Sequence, residues 1–319
     1  MRIVILDAAT TEQGSDCWAP LRALGAVTVF ARSTPAETAV RLADADVVLT
    51  NKALVGAAEI AAAPKLRYVG VLATGYNIVD VAACRARGIA VANVPGYSTE
   101  SVAQLVFAFL LQHAQDVVGH AAAVRAGRWA AGPDFCFTLK PLRELSGQTL
   151  ALVGSGAIGG AVARIAEGFG MRVLRCAVPG SKSPGRVPLD EALPQSDVVT
   201  LHCPLTPETS KLVNAAFFAQ LKPGALLVNT GRGGLIDEEA LVAALQGGRL
   251  GGAALDVLTA EPPKADHPLL RADAPWADRL LVTPHIAWAT VEARGRLVAH
   301  AAENLQAFVA GERRNRVDA

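Results

Sequence analysis

Short apolar runs alternate with Ala-rich segments of helical spacing along the first hundred residues. The runs are "RIVIL" (2–6), "VTVFA" (27–31), "VVLT" (47–50), "RYVGVLA" (67–73) and "IAVANVP" (89–95). Strands buried on both faces are continuous apolar runs, because helices cover both sides of a parallel sheet. The alternation therefore predicts a parallel sheet flanked by helices.

A second alternating series follows a long helical segment. The pattern predicts that this helix begins at "STESVAQ" (98–104), with Ser98 and Ser101 as capping residues, and extends to about Arg125. The later strands are "TLALV" (149–153), "MRVLRCA" (171–177), "DVVTLHC" (197–203), "ALLVNT" (225–230), "GGAALDV" (251–257) and "LLVTPH" (280–285). This series predicts a second doubly wound α/β domain, and residues 290–311 have the spacing of a C-terminal helix.

Composition narrows the class of protein. The 319 residues are 51% hydrophobic and 18% charged, and the net charge of +1 gives no field that attracts nucleic acid or an anionic membrane. The basic segment "GERRNR" (311–316) is interpreted as a solvated tail rather than a binding patch. The five cysteines form no C-x-x-C pair, which argues against a disulfide framework or a zinc site and suits a reducing cytosol. We expect a cytoplasmic protein with no metal, no nucleic-acid partner and no membrane span.

Residues 154–159 form the pattern G-x-G-x-x-G between a predicted strand and a predicted helix. Each glycine has its own physical reason, since Gly154 allows the tight turn, Gly156 allows close approach to a pyrophosphate, and Gly159 lets the helix pack on the strand. Amides at the helix N-terminus then face the phosphates. The alternative is an ordinary Gly-rich turn, but the strand and helix on either side favour a dinucleotide site.

Three polar side chains follow strands of the second series. These are Arg232, Glu261 and His285, and ligands of an open parallel sheet bind outside the carboxyl ends of such strands. An Arg holds a carboxylate or polarises a carbonyl, and a His gives a proton to the carbonyl oxygen. A Glu beside the His stabilises the imidazolium. With a nicotinamide as hydride donor, the set predicts reversible reduction of a 2-oxo acid to a 2-hydroxy acid.

Each of these three residues has a plainer interpretation when it is taken alone. Arg232 then caps a turn, Glu261 is a solvated loop charge before two prolines, and His285 is a structural histidine. Most polar residues have no catalytic role. Their occurrence at successive strand ends, after a dinucleotide fingerprint, favours the catalytic interpretation.

Several sequence blocks, in the same order, resemble the D-isomer-specific 2-hydroxyacid dehydrogenases over almost the whole chain. They are residues 73–104, 154–159, "LHCPLTPETSKLVN" (201–214), "VNTGRGGLIDEEAL" (228–241), "AALDVLTAEPP" (253–263) and "TPHIAWAT" (283–290). The segments "PHIAWAT" (284–290) and "GRWAAGPDFC" (127–136) are most similar to glycerate dehydrogenases, also called hydroxypyruvate or glyoxylate reductases. Formate dehydrogenases of this superfamily have Gln where Glu261 stands, so that branch is disfavoured.

The resemblance implies a role for each matching residue. Arg232, Glu261 and His285 are the catalytic residues, and Asp256 lies by the nicotinamide carboxamide. Backbone amides around Ala73, Thr74 and Gly75 are implied to bind the substrate carboxylate, with Arg232 opposite. The implied cofactor contacts besides Asp256 are Gly154, Gly156, Ala157, Ile158, Gly159, Pro204 and Thr209.

The resemblance also implies an architecture and partners. A Rossmann cofactor domain (99–289) is inserted into a flavodoxin-like substrate domain (1–98 and 290–319), and members are usually homodimers joined through the helix after Ser98. The implied reaction converts hydroxypyruvate or glyoxylate to glycerate or glycolate, as the D isomer where the product is chiral. The alternative is a nucleotide-sensing binding protein or corepressor on the same fold, since such relatives exist.

The segment "LRCAVPGSKSPGR" (174–186) raises the question of the cofactor. By the family pattern, the acid that binds the ribose hydroxyls of NAD falls on Ala177, so a 2′-phosphate meets no repulsion there. Ser181, Lys182 and Arg186 follow and are candidate phosphate contacts, whereas Arg175 points either to the phosphate or to the other face of the strand. The alternative is a loop of solvated charges. We expect NADP or NAD, with NADP slightly favoured.

Overall fold

The computed structural model describes residues 1–12, 17–181 and 184–318, which form two compact units. One unit comprises Met1–Ser98 and Trp288–Ala319, and Thr99–Ala287 form the other, inserted unit. The chain returns to the first unit two residues before the position expected from sequence. The predicted fold class, two doubly wound parallel-sheet domains, is confirmed.

The first unit has a five-stranded parallel sheet in the order β2-β1-β3-β4-β5, which is the flavodoxin-like order. Its strands are β1 (Arg2–Ile5), β2 (Ala26–Val29), β3 (Val47–Thr50), β4 (Tyr68–Val71) and β5 (Ala90–Ala92). Its first four helices are α1 (Ala19–Arg22), α2 (Pro35–Leu42), α3 (Ala57–Ala61) and α4 (Val81–Ala86). Val47 and Leu49 pack on one face of the sheet and Val48 packs on the other, so both faces are buried as the continuous apolar run predicts.

The inserted unit has a six-stranded parallel sheet in the order β11-β10-β9-β8-β6-β7. Its strands are β6 (Thr149–Val153), β7 (Arg172–Cys176), β8 (Val198–Leu201), β9 (Ala225–Asn229), β10 (Leu250–Leu255) and β11 (Leu280–Val282). The chain builds outward from β6 to β7 and then crosses to β8 on the other side. The order therefore reverses between β6 and β8, and ligands of such sheets bind outside the carboxyl ends at this point.

Helices cover both faces of this second sheet. They are α5 (Thr99–Gln115), α6 (Val117–Arg125), α7 (Ala157–Gly168), α8 (Leu189–Ala192), α9 (Ala215–Gln220) and α10 (Glu238–Gln246). The prediction of a single helix that extends to about Arg125 is wrong. Asp116 has a φ of 46°, and α5 and α6 meet there at a bend of 54°. Ser101 does not cap the helix, since its hydroxyl donates to the Ala287 carbonyl.

The last helix, α11 (Val291–Val309), confirms the predicted C-terminal helix and returns to the first unit. Its residues Leu297 and Leu305 are buried beside Tyr68 of β4.

Among the described residues, no single helix is long and apolar enough to cross a membrane. The bent pair of α5 and α6 meets that criterion only when the two helices are counted together. The five cysteines are free thiols.

Candidate active site

The glycine-rich turn is built as its spacing predicts. Gly154 follows β6 with a φ of +97°, and a Cβ there would lie 2.5 Å from the Cys203 amide nitrogen. A Cβ on Gly159 would lie 2.1 Å from the Gly154 carbonyl oxygen, so α7 packs directly on the turn. Gly156, in contrast, has no neighbour within 4 Å of its Cβ position. The N-terminus of α7, with Ala157 and Ile158 in its first turn, therefore faces open space in which its amides can bind phosphate.

A cavity of about 480 Å³ lies beside this turn, where the strand order reverses. Pro204 and Thr209, which were predicted to lie near the cofactor, both line it. The Thr209 hydroxyl donates to the Pro204 carbonyl at 2.7 Å and accepts from the Thr206 amide at 2.8 Å. Because Thr209 is buried, its side chain shapes the wall of the cavity rather than offering a free hydroxyl.

His202 also lines this cavity and was missed from the sequence. Its Nε2 lies 2.9 Å from the Thr200 hydroxyl, and burial lowers the pKa of His202 to about 4. The imidazole is therefore neutral at physiological pH and adds no charge to the cavity. Its position directly after β8, at the carboxyl edge of the sheet, was the available signal.

The loop after β7 forms another wall of the cavity. A bridge between Cys176 and Val187 closes the loop, and a turn with Gly180 at φ +76° places Ser181 on the cavity. Arg186 lines the cavity as well. Arg175 instead pairs with Glu167 of α7 at 3.1 Å. Lys182, the remaining predicted phosphate contact, lies outside the described residues.

An acidic side chain that sequence reasoning missed faces this loop. Glu208 lines the cavity, and a Cβ on Gly180 would lie 3.3 Å from its Cγ. The hydrogen bond from the Thr206 hydroxyl, at 2.8 Å, lowers the pKa of Glu208. An ionised carboxylate and the Arg186 guanidinium therefore line the same cavity, and they act in opposite directions on a phosphate.

Arg232 lies beyond β9 on a loop that Asn229 holds. The buried Asn229 side chain accepts from the Gly231 amide at 3.0 Å and donates to the Arg232 carbonyl at 2.9 Å. The Arg232 guanidinium is exposed and donates to the Gly231 carbonyl. The following residue, Gly233, packs on the loop after β10: a Cβ there would lie 2.0 Å from the Leu258 carbonyl carbon. The loops carrying Arg232 and Glu261 are therefore in direct contact.

Glu261 and His285 form a hydrogen-bonded pair. Glu261 Oε2 lies 2.6 Å from His285 Nδ1, and Glu261 Oε1 accepts from the Leu258 amide at 3.0 Å. The two side chains are 34% and 27% exposed, so the pair is reachable from solvent. Leu255 of β10 pairs with both Asn229 of β9 and Val282 of β11. The carboxyl ends of three neighbouring strands thus bring together the predicted Arg, Glu and His.

Asp256 holds the segment that carries His285. Its Oδ1 accepts from the Thr283 hydroxyl at 2.6 Å and the Ile286 amide at 2.8 Å, and its Oδ2 accepts from the Ala287 amide at 2.8 Å. Burial raises the pKa of Asp256, and these donors oppose that shift. The carboxylate is 1% exposed, so its visible role is to position the His285 segment; a contact with nicotinamide stays a prediction.

Replacing Asp256 with Asn is expected to lower kcat about tenfold or more while the affinity for the reduced cofactor changes little. The Asn side chain has one acceptor oxygen, whereas the site uses both oxygens of the Asp256 carboxylate. A backbone donor therefore loses its partner, and the His285 segment shifts. Steady-state kinetics checks this, with Asp266→Asn as control, since Asp266 is exposed and its side chain has no partner among the described residues. Equal kcat in the two variants would contradict the positioning role.

The predicted substrate contacts Ala73, Thr74 and Gly75 lie in the first unit, just after β4. Val94 donates to the Ala73 carbonyl at 3.0 Å, and the Asn93 side chain donates to the Thr74 carbonyl at 2.6 Å. Within the described ranges, the amides of residues 73–75 donate to no protein group. They are therefore free to bind an anion.

In the same described ranges, no three His, Cys, Asp or Glu side chains are grouped to hold a metal ion.

Comparisons with known proteins agree with this geometry. Residues 107–287 match the family described as D-isomer specific 2-hydroxyacid dehydrogenase, NAD binding domain. The chain is 43% identical to a hydroxypyruvate reductase of Blautia hydrogenotrophica over 98% of both chains, and 41% identical to a glycerate dehydrogenase of Methylorubrum extorquens over 90% of both. The structure of an NADPH-dependent glyoxylate/hydroxypyruvate reductase from Sinorhizobium meliloti, 30% identical, superposes with a TM-score of 0.83 over 99% of this chain and 97% of that one.

Proposed function

Since this chain belongs to the D-isomer specific 2-hydroxyacid dehydrogenase family, we propose that it reduces hydroxypyruvate or glyoxylate to the corresponding 2-hydroxy acid. The chain is an oxidoreductase that uses a nicotinamide cofactor. The observation that supports the reaction most strongly is the Glu261–His285 pair, 2.6 Å apart, next to the Arg232 loop in a unit with a dinucleotide turn. Loss of reduced-nicotinamide absorbance with these two acids tests the proposal, and no turnover with any small 2-oxo acid would refute it.

His285 is the proton donor in this proposal. The Glu261 carboxylate accepts at Nδ1, which fixes the ring and leaves Nε2 to exchange the proton. In reduction, Nε2 of the imidazolium gives its proton to the substrate oxygen, and the ring becomes neutral. In oxidation, neutral Nε2 takes the proton back. Glu261 stabilises the charged ring in both directions.

Charged and backbone donors are proposed to bind the substrate anion. The exposed Arg232 guanidinium supplies parallel N–H donors for a carboxylate or for the carbonyl oxygen. In the first unit, the free amides of residues 73–75 are proposed to bind a carboxylate. A corepressor on this fold needs neither substrate binding nor proton transfer by His285. Turnover that depends on His285 would therefore exclude the hypothesis that the chain is only a corepressor.

The residues of the glycine turn fit a nicotinamide dinucleotide. Gly156 leaves room for a pyrophosphate, α7 offers its N-terminal amides, and the cavity beside them has a volume of about 480 Å³. When bound, the cofactor supplies the hydride. We propose NADP as the preferred form, because Ala177 replaces the usual acid and Arg186 lines the cavity. The Sinorhizobium meliloti relative is NADPH-dependent, which supports the same choice.

Replacing Arg186 with Gln is expected to lower kcat/KM with NADPH about tenfold to a hundredfold and to change kcat/KM with NADH far less. A charged hydrogen bond to phosphate contributes about 1.5–3 kcal/mol, whereas NADH has no phosphate at that position. Arg175→Gln is the matched control, because Arg175 is engaged by Glu167. Equal losses with both cofactors, or a strong NADH preference of the wild-type protein, would refute this choice.

We also propose a homodimer that works in the cytoplasm. Large apolar side chains are exposed between the end of α5 and the segment before β6, namely Leu111, Val117, Val118, Val124, Trp129, Phe135, Leu139 and Leu142. Such a concentration of exposed apolar residues is typical of a protein interface. Light scattering should give about twice the 33.1 kDa chain mass, and Val117→Asp with Val118→Asp should give one chain mass. A monomeric wild-type protein at all concentrations would contradict the proposal.

A further inference from the structure

The loop that carries Glu261 is also held by a second glutamate–histidine pair, Glu238 and His267. Glu238 Oε1 accepts a hydrogen bond from the Thr259 amide at 2.8 Å, and Glu238 Oε2 lies 3.2 Å from His267 Nε2. The neighbouring amide, that of Leu258, donates to Glu261 Oε1 at 3.0 Å. Two carboxylates therefore bind successive amides of one loop, and only one of those carboxylates reaches His285.

This second pair is itself well fixed. The His267 and Glu238 side chains are 13% and 23% exposed, less than the Glu261–His285 pair. His267 Nδ1 accepts from the Leu269 amide at 3.3 Å, so a neutral ring carries its proton on Nε2 and donates it to Glu238. Glu238 is the first residue of α10, directly after the N-cap Asp237. The pair thus ties the Thr259 amide to the start of a helix.

We propose that Glu238 and His267 are positioning residues for the reaction, acting through the loop to set how Glu261 meets His285. The inference rests on the proposed function. The Glu261–His285 distance depends on the path of residues 258–261, since Glu261 takes its other hydrogen bond from Leu258 within the same loop. Close backbone contact with Gly233 restricts the position of this loop on one side. Glu238 accepts a hydrogen bond from the Thr259 amide of the same loop. A misplacement of about 1 Å in such a site costs up to about a hundredfold in rate.

Glu238→Gln tests the proposal, because an amide offers one acceptor oxygen where two donors, Thr259 N–H and His267 Nε2–H, must be satisfied. The expected result is a kcat about tenfold lower, with KM for the oxo acid and Kd for NADPH within about twofold of wild type. Glu239→Gln is the matched control: it removes the same charge one residue along α10, and its exposed side chain has no hydrogen bond among the described residues. Equal kcat values for the two variants would overturn the proposal.

His267→Asn probes the pair from its other member. Asn is a good N-cap residue and keeps an acceptor for the Leu269 amide, but it loses the contact with Glu238. The expected kcat resembles that of Glu238→Gln. A wild-type kcat would overturn the role of His267.

A double-mutant cycle separates positioning from general destabilisation. If Glu238 acts through Glu261, then Glu238→Gln should change kcat by less than about twofold once Glu261 is already Gln. The same fold-loss in both backgrounds would mean that Glu238 acts elsewhere, and the proposal would be wrong.

A spectroscopic measurement keeps this inference distinct from the proposed function. In protein labelled at histidine ¹³Cε1, the His285 resonance, identified by its loss in His285→Ala, should shift in Glu238→Gln and stay in place in Glu239→Gln. This readout needs no turnover. An unmoved His285 resonance in an active enzyme refutes the positioning role, whereas a shifted resonance in a protein that reduces no 2-oxo acid supports it and refutes only the proposed reaction.

Discussion

Replacing His285 with Ala is expected to lower kcat for hydroxypyruvate reduction by about a thousandfold. Positioned general acid–base catalysis contributes about 10²–10⁴-fold, and the variant leaves Glu261 without the ring that carries the proton. Cofactor affinity should stay within about twofold, because the substitution leaves the glycine turn and the N-terminal amides of α7 unchanged. Steady-state rates and a fluorescence titration with NADPH measure the two quantities.

His300→Ala provides the control for this substitution. His300 is half-buried on α11 in the other unit, and its ring has no hydrogen bond among the described residues. Its kcat should equal that of the wild type. A His285→Ala variant with nearly unchanged kcat would mean that His285 is not the proton donor, and the binding-protein alternative would then gain support if cofactor binding persisted.

Replacing Gly233 with Ala is expected to reduce kcat about a hundredfold. The new Cβ would lie 2.0 Å from the carbonyl carbon of Leu258 and 2.3 Å from the Thr259 amide nitrogen, and backbone cannot yield as a flexible side chain does. The Arg232 and Glu261 loops must therefore separate, and a catalytic arrangement displaced by about 1 Å loses about 10²-fold. Kinetics together with thermal unfolding distinguishes this from loss of the folded state.

Gly234→Ala is the matched control for the same loop. Its Cβ would meet only the end of the Leu205 side chain, at 3.0 Å, which can rotate away. Its kcat should stay within about threefold of the wild type, since an exposed side chain adjusts at little cost. If both alanine variants were equally active, the contact between the two loops would have no part in catalysis.

The strands and the glycine turn could be predicted from the sequence because local rules determine them. A strand such as β3 is apolar at every position but its last since helices cover both faces, and Gly154 and Gly159 have no room for a Cβ. The break between α5 and α6 was missed because apolar and Ala residues continue past Asp116 in the sequence. Only the left-handed backbone of Asp116 ends the helix, and no apolar pattern encodes that.

Only those residues of the candidate site that follow strands could be predicted from the sequence. Arg232, Glu261 and His285 could be predicted to lie together because each follows a strand at the carboxyl end of one sheet. The Asp256 hydrogen bonds, the Glu238–His267 pair and Glu208 beside Gly180 were missed, because each depends on contacts between residues far apart in the chain. Spacing along a sequence does not report such contacts, which arise when separate loops meet at the strand ends.

The pH dependence of kcat/KM, measured in both directions, tests the central claim most directly. Reduction consumes the proton of the His285 imidazolium, whereas oxidation needs the neutral ring. Burial lowers the pKa of His202, which lines the cavity beside the glycine turn, to about 4, so His202 does not contribute to the profile near neutral pH. We predict that kcat/KM for hydroxypyruvate falls as the pH rises, while kcat/KM for glycerate increases over the same interval. Profiles that change in the same direction would contradict the assignment of His285 as the acid and base.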